Sequence, residues 1–391
     1  MLGKNFLLCK TRTKLCEFIQ PMTEQLDKPR KKFLKQVIGA ILLSGSLVVT
    51  EIARWIRDGC SDSFYQLKRL LNHLVSLEGD LSEAVVSYRQ FMSRYIQQDS
   101  PILIDITDIA KPRAGRMKYL AMVRDGSEDK LVAGYWCVEA YVYLKGKRVI
   151  PLAMDVFSIE DPLVGSQNLQ IERTIKAINE AINGKGVWVA DRGFDGLNSY
   201  ETWFSNNCNF VVRQRGDRCV ITTNGVCIVE SDLVERIRAN NPQCDIVWAK
   251  VNLPNNDKPL YLVASWRQGD DQPLILLTTL VVENIQWYYS RRWACEEAGR
   301  FLKSRVGLER FRIRRYEAIQ RLAVLAMFAM GFLTWVLLKS RQITEKLLSL
   351  TSRFRKQVDF IYYRLLDGLQ EFGRLRYPYR DNLLPKPIEN G

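Results

Sequence analysis

At Ser100-Pro101 the periodicity of the chain changes, and that change limits its possible folds more than any other feature. Upstream, apolar residues recur at helical spacing in FLKQVIGAILLSG and LSEAVVSYRQFMSRYI. Downstream, PILIDITDI is a β-branched run that reads as a strand, followed by a polar, glycine-bearing stretch to about residue 130. GYWCVEAYVYL and VIPLAMDVFS read as two more strands, joined at Lys145-Gly146-Lys147. LQIERTIKAINEAI is an amphipathic helix ending at Asn183-Gly184, GVWVAD a buried strand, GLNSYETWFSNN a helix and NFVVRQR a fifth strand. Three strands followed by helix–strand–helix–strand is a mixed α/β order. Residues 214–283 then read as strand-rich, with Asn224-Gly225 as a hairpin turn. Helical pattern returns at 284 and runs to about 370, and the proline-bearing tail RYPYRDNLLPKPIENG reads as irregular.

Charge and cysteine usage narrow the function. A formal net charge of +14 favours polyanions, with nucleic acid ahead of an anionic membrane surface. The nine cysteines form no CxxC pair, and His73, the single histidine, reads as structural. Disulfide frameworks, zinc sites and Ser-His-Asp catalysis are therefore poor readings. The start of the chain lacks the apolar core of a signal peptide, which points to the cytoplasm. Leu322–Leu338 carries no charge over seventeen residues; at ~1.5 Å per residue it falls short of a ~30 Å bilayer core and reads as a buried helix. In VVTEIARWIRDGCSDSFYQLKRLLNHL, Thr50 and Ser61 or Asp62 could cap two short helices around Asp58-Gly59. That segment reads either as a DNA-binding helix-turn-helix or as a plain helical hairpin.

Three acids stand out by position. Asp105 lies inside the first strand among apolar neighbours, and Asp191 ends the strand VWVAD, where α/β folds build sites. Such carboxylates are costly unless paired or bound to a cation. Asp108 competes with Asp105 but, three residues on, points to the opposite strand face; Asp195 reads as a helix cap. The third acid is Glu296, in WYYSRRWACEEAGRFLKSRVGLERFRIRR. On one continuous α-helix at about 100° per residue, Arg292, Glu296 and Lys303 fall at about −60°, −20° and −40° from Tyr289, whereas Glu297 leaves that stripe. The stripe suits a metal held by Glu296 between phosphates held by Arg292 and Lys303, or else it is a solvated helix face.

Tyr289-x2-Arg292-x3-Glu296-x6-Lys303 resembles the Tyr-Arg-Glu-Lys (YREK) signature of a group of DDE transposases from bacterial insertion sequences. Asp191-Arg192 and the first-strand Asp105 fit that family's order of Asp, Asp, Glu. The resemblance implies an α/β fold: an RNase H-like mixed-sheet catalytic core interrupted by a β-rich insertion, with helical N-terminal and C-terminal regions. The boundaries expected are 1–97 for a helical DNA-binding region, 98–213 and 284–340 for the core, 214–283 for the insertion and 341–391 for the C-terminal region and tail. It implies that Asp105, Asp191 and Glu296 hold two Mg²⁺ ions, with Mn²⁺ as a substitute, for strand cleavage and strand transfer. The partners implied are double-stranded DNA, both terminal inverted repeats and target, and a second copy of the chain in the synaptic complex; no membrane is expected. Tyr289, Arg292 and Lys303 then face DNA, and Trp293, with Trp266, is a candidate for base stacking or for plain core packing. Arg310, Arg312, Arg314 and Arg315 are expected on the DNA backbone. An RNase H-like nuclease or resolvase, or a catalytically silent derivative, is the competing expectation.

Overall fold

The computed structural model describes residues 2–56, 62–76, 80–125, 130–254, 256–266, 272–351 and 359–376. Asp58-Gly59, Ser61 and the tail from residue 377 lie outside them. The chain divides into two compact units, residues 82–299 and residues 1–81 with 300–391.

Within the unit spanning 82–299, sheet order follows from which strands must be covered on both faces. After α5 (Asp80–Met92) come β1 (Pro101–Ala110), β2 (Ala121–Asp125), β3 (Lys130–Leu144), β4 (Arg148–Phe157), α6 (Gln167–Ala181), β5 (Val187–Ala190), α7 (Leu197–Ser205) and β6 (Asn209–Arg213). The order β4-β3-β1-β5-β6 pairs β1 with β3 and β3 with β4 antiparallel, and β1 with β5 and β5 with β6 parallel. This is the RNase H-like arrangement. The parallel strands have their centres fully buried, as VWVA and FVV predict. The turn between β3 and β4 uses left-handed backbone at Gly146 and Lys147.

The strands expected as an insertion continue the same sheet. β7 (Cys219–Thr222), β8 (Cys227–Val229), β9 (Ile246–Leu253), β10 (Asn256–Ser265) and β11 (Leu274–Thr278) extend it in the order β6-β11-β10-β9-β7-β8. Strand β11 joins β6 antiparallel. Two elements escape the sequence reading: β2, which is short and half polar, and α8 (Glu230–Asn240), whose helical run follows directly on a strand-like one. α9 (Ile285–Ser290) packs Ile285, Tyr288 and Tyr289 on the sheet core around Val187, Val211, Val263 and Leu276. α10 (Trp293–Arg300) follows.

The second unit is helical. Its N-terminal part is α1 (Leu2–Thr23), α2 (Lys28–Ser44), α3 (Val49–Trp55) and α4 (Ser63–Ser76). A π-helical turn (Phe301–Val306), α11 (Tyr316–Lys339), α12 (Arg341–Ser349) and α13 (Tyr362–Arg376) complete it. Helix α11 is long and apolar enough to cross a membrane, but 78% of its most apolar window is buried inside the protein. It forms the core of this unit, with Phe332 against Phe18 of α1 and Arg321 donating to the Leu74 carbonyl of α4. Arg305 on the π-helical turn ion-pairs with Asp367 of α13 at 2.6 Å. His73 stacks beside Phe33, and burial with Arg69 nearby lowers its pKa, consistent with a structural role. Thr50 lies inside α3 rather than capping it, while Asp62 accepts from Phe64 N–H at the start of α4.

Gly186 sets the entry to β5, the strand that leads to Asp191. Its φ is +90°, and a Cβ there would meet the Ile102 Cδ1 at 2.6 Å and the Ser100 carbonyl at 2.9 Å. Gly186→Ala is expected to cost about 1–3 kcal/mol of folding stability, read as a lower urea midpoint at unchanged slope.

Candidate active site

The parallel pairing of β1 with β5 brings the first two acids level. Leu103 is the register partner of Val189. Two residues further along each strand stand Asp105 and Asp191. Asp191 follows the last residue of β5, and its Oδ1 accepts from Gly193 N–H at 2.7 Å, which opens the turn Arg192–Phe194. Asp105 Oδ1 accepts from its neighbour's backbone, Ile106 N–H, at 2.8 Å. Asp108 sits opposite Trp136 in the ladder, an odd number of positions away, and faces the other side of the sheet.

Glu296 reaches the same place from α10. Burial, then the charge of Asp191, with a smaller push from Glu296, raises the Asp105 pKa to about 6; Arg292 and the Ile106 N–H oppose the rise. Arg292 stands among these acids, 2.5 Å from Glu296 Oε1 and 3.8 Å from Asp105 Oδ2. Although burial works against its charge, Tyr289, Glu296 and Asp105 hold its guanidinium above the usual arginine range. Glu297 is half-buried and is not among the groups that shift Asp105.

The single-helix geometry expected for the signature needs correction. Helix α9 ends at Ser290, Arg291 and Arg292 form tight turns with i→i+3 hydrogen bonds, and α10 begins at Trp293. From Phe301 the backbone is π-helical, so angles counted at 100° per residue do not extend to Lys303. Tyr289 lies partly packed on the sheet and Arg292 turns onto the carboxylates. Lys303 pairs with Glu309 at 3.7 Å. Trp293 is 55% exposed, which argues against core packing for that ring. Arg310, Arg312, Arg314 and Arg315 are exposed and alternate with buried Phe311 and Ile313.

A cleft opens directly beside Asp191, with a volume of about 1190 Å³. Arg192, Arg213, Arg215, Arg238 and Trp266 line it. The Arg238 guanidinium lies 4.6 Å from the Trp266 ring centre. Trp266 and Tyr289 also share a neighbouring pocket of about 410 Å³. The arginines come from the turn after Asp191, the end of β6, the loop that follows it and α8, so no local run in the sequence marks them. Asp195, expected as a cap of α7, instead accepts from Arg218 Nη2 at 2.7 Å and from Arg215 N–H at 3.0 Å. Glu230 lies beside this pair, its pKa pushed up to about 8 by burial and the Asp195 charge. This network ties the Arg215 loop to the Asp191 turn.

Among the described residues no group of three acidic, histidine or cysteine side chains is arranged to hold a metal ion. The donor chemistry nonetheless fits a hard divalent cation: three carboxylates repel one another here, and the only positive charge among them in the contacts above is Arg292. Because folded Asp105 holds its proton more tightly than the unfolded chain does, the unfolded chain ionises first. Between about pH 4 and 6, stability therefore falls as pH rises, and above that window a deficit on the order of 1–3 kcal/mol persists. Asp105→Asn is expected to unfold at a higher temperature than the natural chain at pH 7.5 and at nearly the same temperature at pH 4. Equal unfolding temperatures at pH 7.5 would count against carboxylate repulsion.

Residues 152–332 match the family model described as a transposase DDE domain; the matched segment holds Asp191 and Glu296 and begins downstream of Asp105. No curated protein matches the chain. The cryo-electron-microscopy structure of a piggyBac transposase synaptic complex with hairpin DNA is similar at 9% identity and a TM-score of 0.48, over 97% of this chain and 84% of that one. The family-model match assigns the segment holding Asp191 and Glu296 to a transposase DDE domain.

Proposed function

We propose that this chain is a DNA transposase of the DDE class that excises and inserts DNA by a cut-and-paste route, with Asp105, Asp191 and Glu296 as its catalytic and metal-holding acids. The observation that carries this reading is that Asp191, from the end of β5, and Glu296, from α10, both act on Asp105 of β1, with Arg292 against Asp105 and Glu296. The three would together hold two Mg²⁺ or Mn²⁺ ions, and bound there the metal supplies an activated water or 3′-hydroxyl and charge neutralisation at the leaving oxygen. Arg292 offsets the acids' charge in the meantime and keeps Glu296 turned toward Asp105. The Gly193 N–H holds one oxygen of Asp191 and so aims the other.

The substrate is double-stranded DNA, in the form of the element's inverted ends and a target. The cleft beside Asp191, with Arg192, Arg213, Arg215 and Arg238 on its walls, supports passage of a phosphate backbone next to the acids. The exposure of Trp293, one residue after Arg292, and the position of Trp266 on the cleft wall support a base-stacking role for both rings. Lys303 and the exposed arginines at 310, 312, 314 and 315 supply further positive charge for a DNA backbone. The Tyr289–Arg292–Glu296–Lys303 spacing supports membership of the YREK group of bacterial insertion sequences, and pairing of two ends calls for a homodimer at work.

Asp105→Ala, Asp191→Ala and Glu296→Ala are each expected to abolish metal-dependent nicking of DNA carrying the element's own ends while sparing end binding. Full nicking by Glu296→Ala with loss in Glu297→Ala would overturn the assignment. A joining assay with pre-cut ends separates a transposase that inserts DNA from one confined to hydrolysis, because only the former transfers the 3′ end. In a gel-shift series, Arg215→Ala and Arg238→Ala are each expected to weaken binding and to reduce the salt dependence by about one phosphate contact. An unchanged salt slope would remove the cleft from the DNA path.

A further inference from the structure

Glu139 is a carboxylate that the reaction as described does not use. It lies in the middle of β3, 2% exposed, and is the direct ladder partner of Asp105. Paired residues on neighbouring strands share a face, so Glu139 and Asp105 stand side by side beneath the same covering element. That element is α10. Glu139 Oε2 lies 2.8 Å from the point where a Cβ on Gly299 would sit, and the rest of the carboxylate lies within 3.6 Å of it. Gly299 follows Glu296 by three residues, one helical turn further along α10. On the sheet side, the buried Tyr141 hydroxyl donates to Glu139 Oε2 at 3.1 Å. The Cys295 thiol is fully buried, and both Asp105 and Glu139 act on it. A row of Asp105, Glu139 and Tyr141 thus runs along one face of the sheet, with Cys295 and Gly299 of α10 over it.

Burying a carboxylate costs several kcal/mol unless its position repays it, and an apolar side chain would fill the same space without that cost. The absent Cβ at Gly299 lets the helix descend onto the carboxylate, so its contact with Glu139 sets how close α10 comes to β1 and β3. We propose that Glu139 is a positioning residue: its carboxylate, seated against Gly299 and held by Tyr141, fixes the height of α10 and thereby where Glu296 stands relative to Asp105. The inference rests on the site reading above and concerns the support of Glu296.

The test uses the full chain, with Mn²⁺ as the probe in calorimetry and nicking of DNA carrying the element's own ends as the activity. Gly299→Ala pushes a methyl into the carboxylate and is expected to weaken Mn²⁺ binding and nicking about tenfold or more. Glu139→Gln keeps the shape and is expected to stay within about threefold of the natural chain. The double variant Gly299→Ala/Glu139→Asp withdraws the carboxylate by one methylene and is expected to recover most of what Gly299→Ala loses. Should Gly299→Ala fail to fold, Glu139→Asp and Glu139→Gln decide alone, with Gln expected to be the more active of the two. An inactive Glu139→Gln in a folded chain, or a double variant whose losses simply multiply, would overturn the proposal. Normal Mn²⁺ binding and nicking in Gly299→Ala would do the same, provided that Glu296→Ala is inactive. Nicking that survives Glu296→Ala would instead bring down the site reading and this inference with it.

Discussion

Three paired positions between β1 and β5, from Pro101 with Val187 to Leu103 with Val189, hold the site together. They are parallel pairs deep in the sheet, so slipping them by one residue would turn every side chain of β1 to the wrong face. Kept in register, they deliver Asp105 and Asp191 side by side at the strand ends. The cost of that closeness appears in Asp105, whose carboxyl is pushed up to about 6. A carboxylate cluster under that strain calls for positive charge, and Arg292 meets the need inside the protein.

The signature Tyr289-Arg292-Glu296-Lys303 is a pattern of spacing, and the structure gives that spacing a different geometry from the one a straight helix would impose. The tight turns at Arg291 and Arg292 separate α9 from α10. Because of that break, Tyr289 can pack on the sheet while Arg292 faces the acids. The π-helical stretch after Arg300 ends the regular count a second time. Breaks of this kind re-aim side chains, and π-helical turns recur at functional sites.

Basic residues occur throughout the chain, but the cleft beside Asp191 gathers four arginines, at 192, 213, 215 and 238, from a turn, a strand end, a loop and a helix. The Asp195–Arg218 pair, with Glu230 beside it, anchors the loop that carries Arg215. In this way the acidic centre and its basic approach are built from the same strand ends. A net positive chain can therefore hold an acidic site without losing its attraction for polyanions.

Much of this was legible from residue order. The runs ILIDITD and VWVAD announced two acid-bearing strands, and the helical spacing around Glu296 announced its helix. These signals are local, set by alternation and by the chemistry of a few neighbours. The polar strand β2 and the helix α8 were not legible, because neither differs enough in pattern from its surroundings. Glu139 was equally hidden, since an acid within GYWCVEAYVYL has no partner visible in the sequence. Its neighbours Asp105, Cys295 and Gly299 become neighbours only through strand register and helix docking. The sequence alone determined which residues are the candidates for the chemistry. Tertiary structure decided which of them meet, because pairing across a sheet joins residues that no sequence period connects.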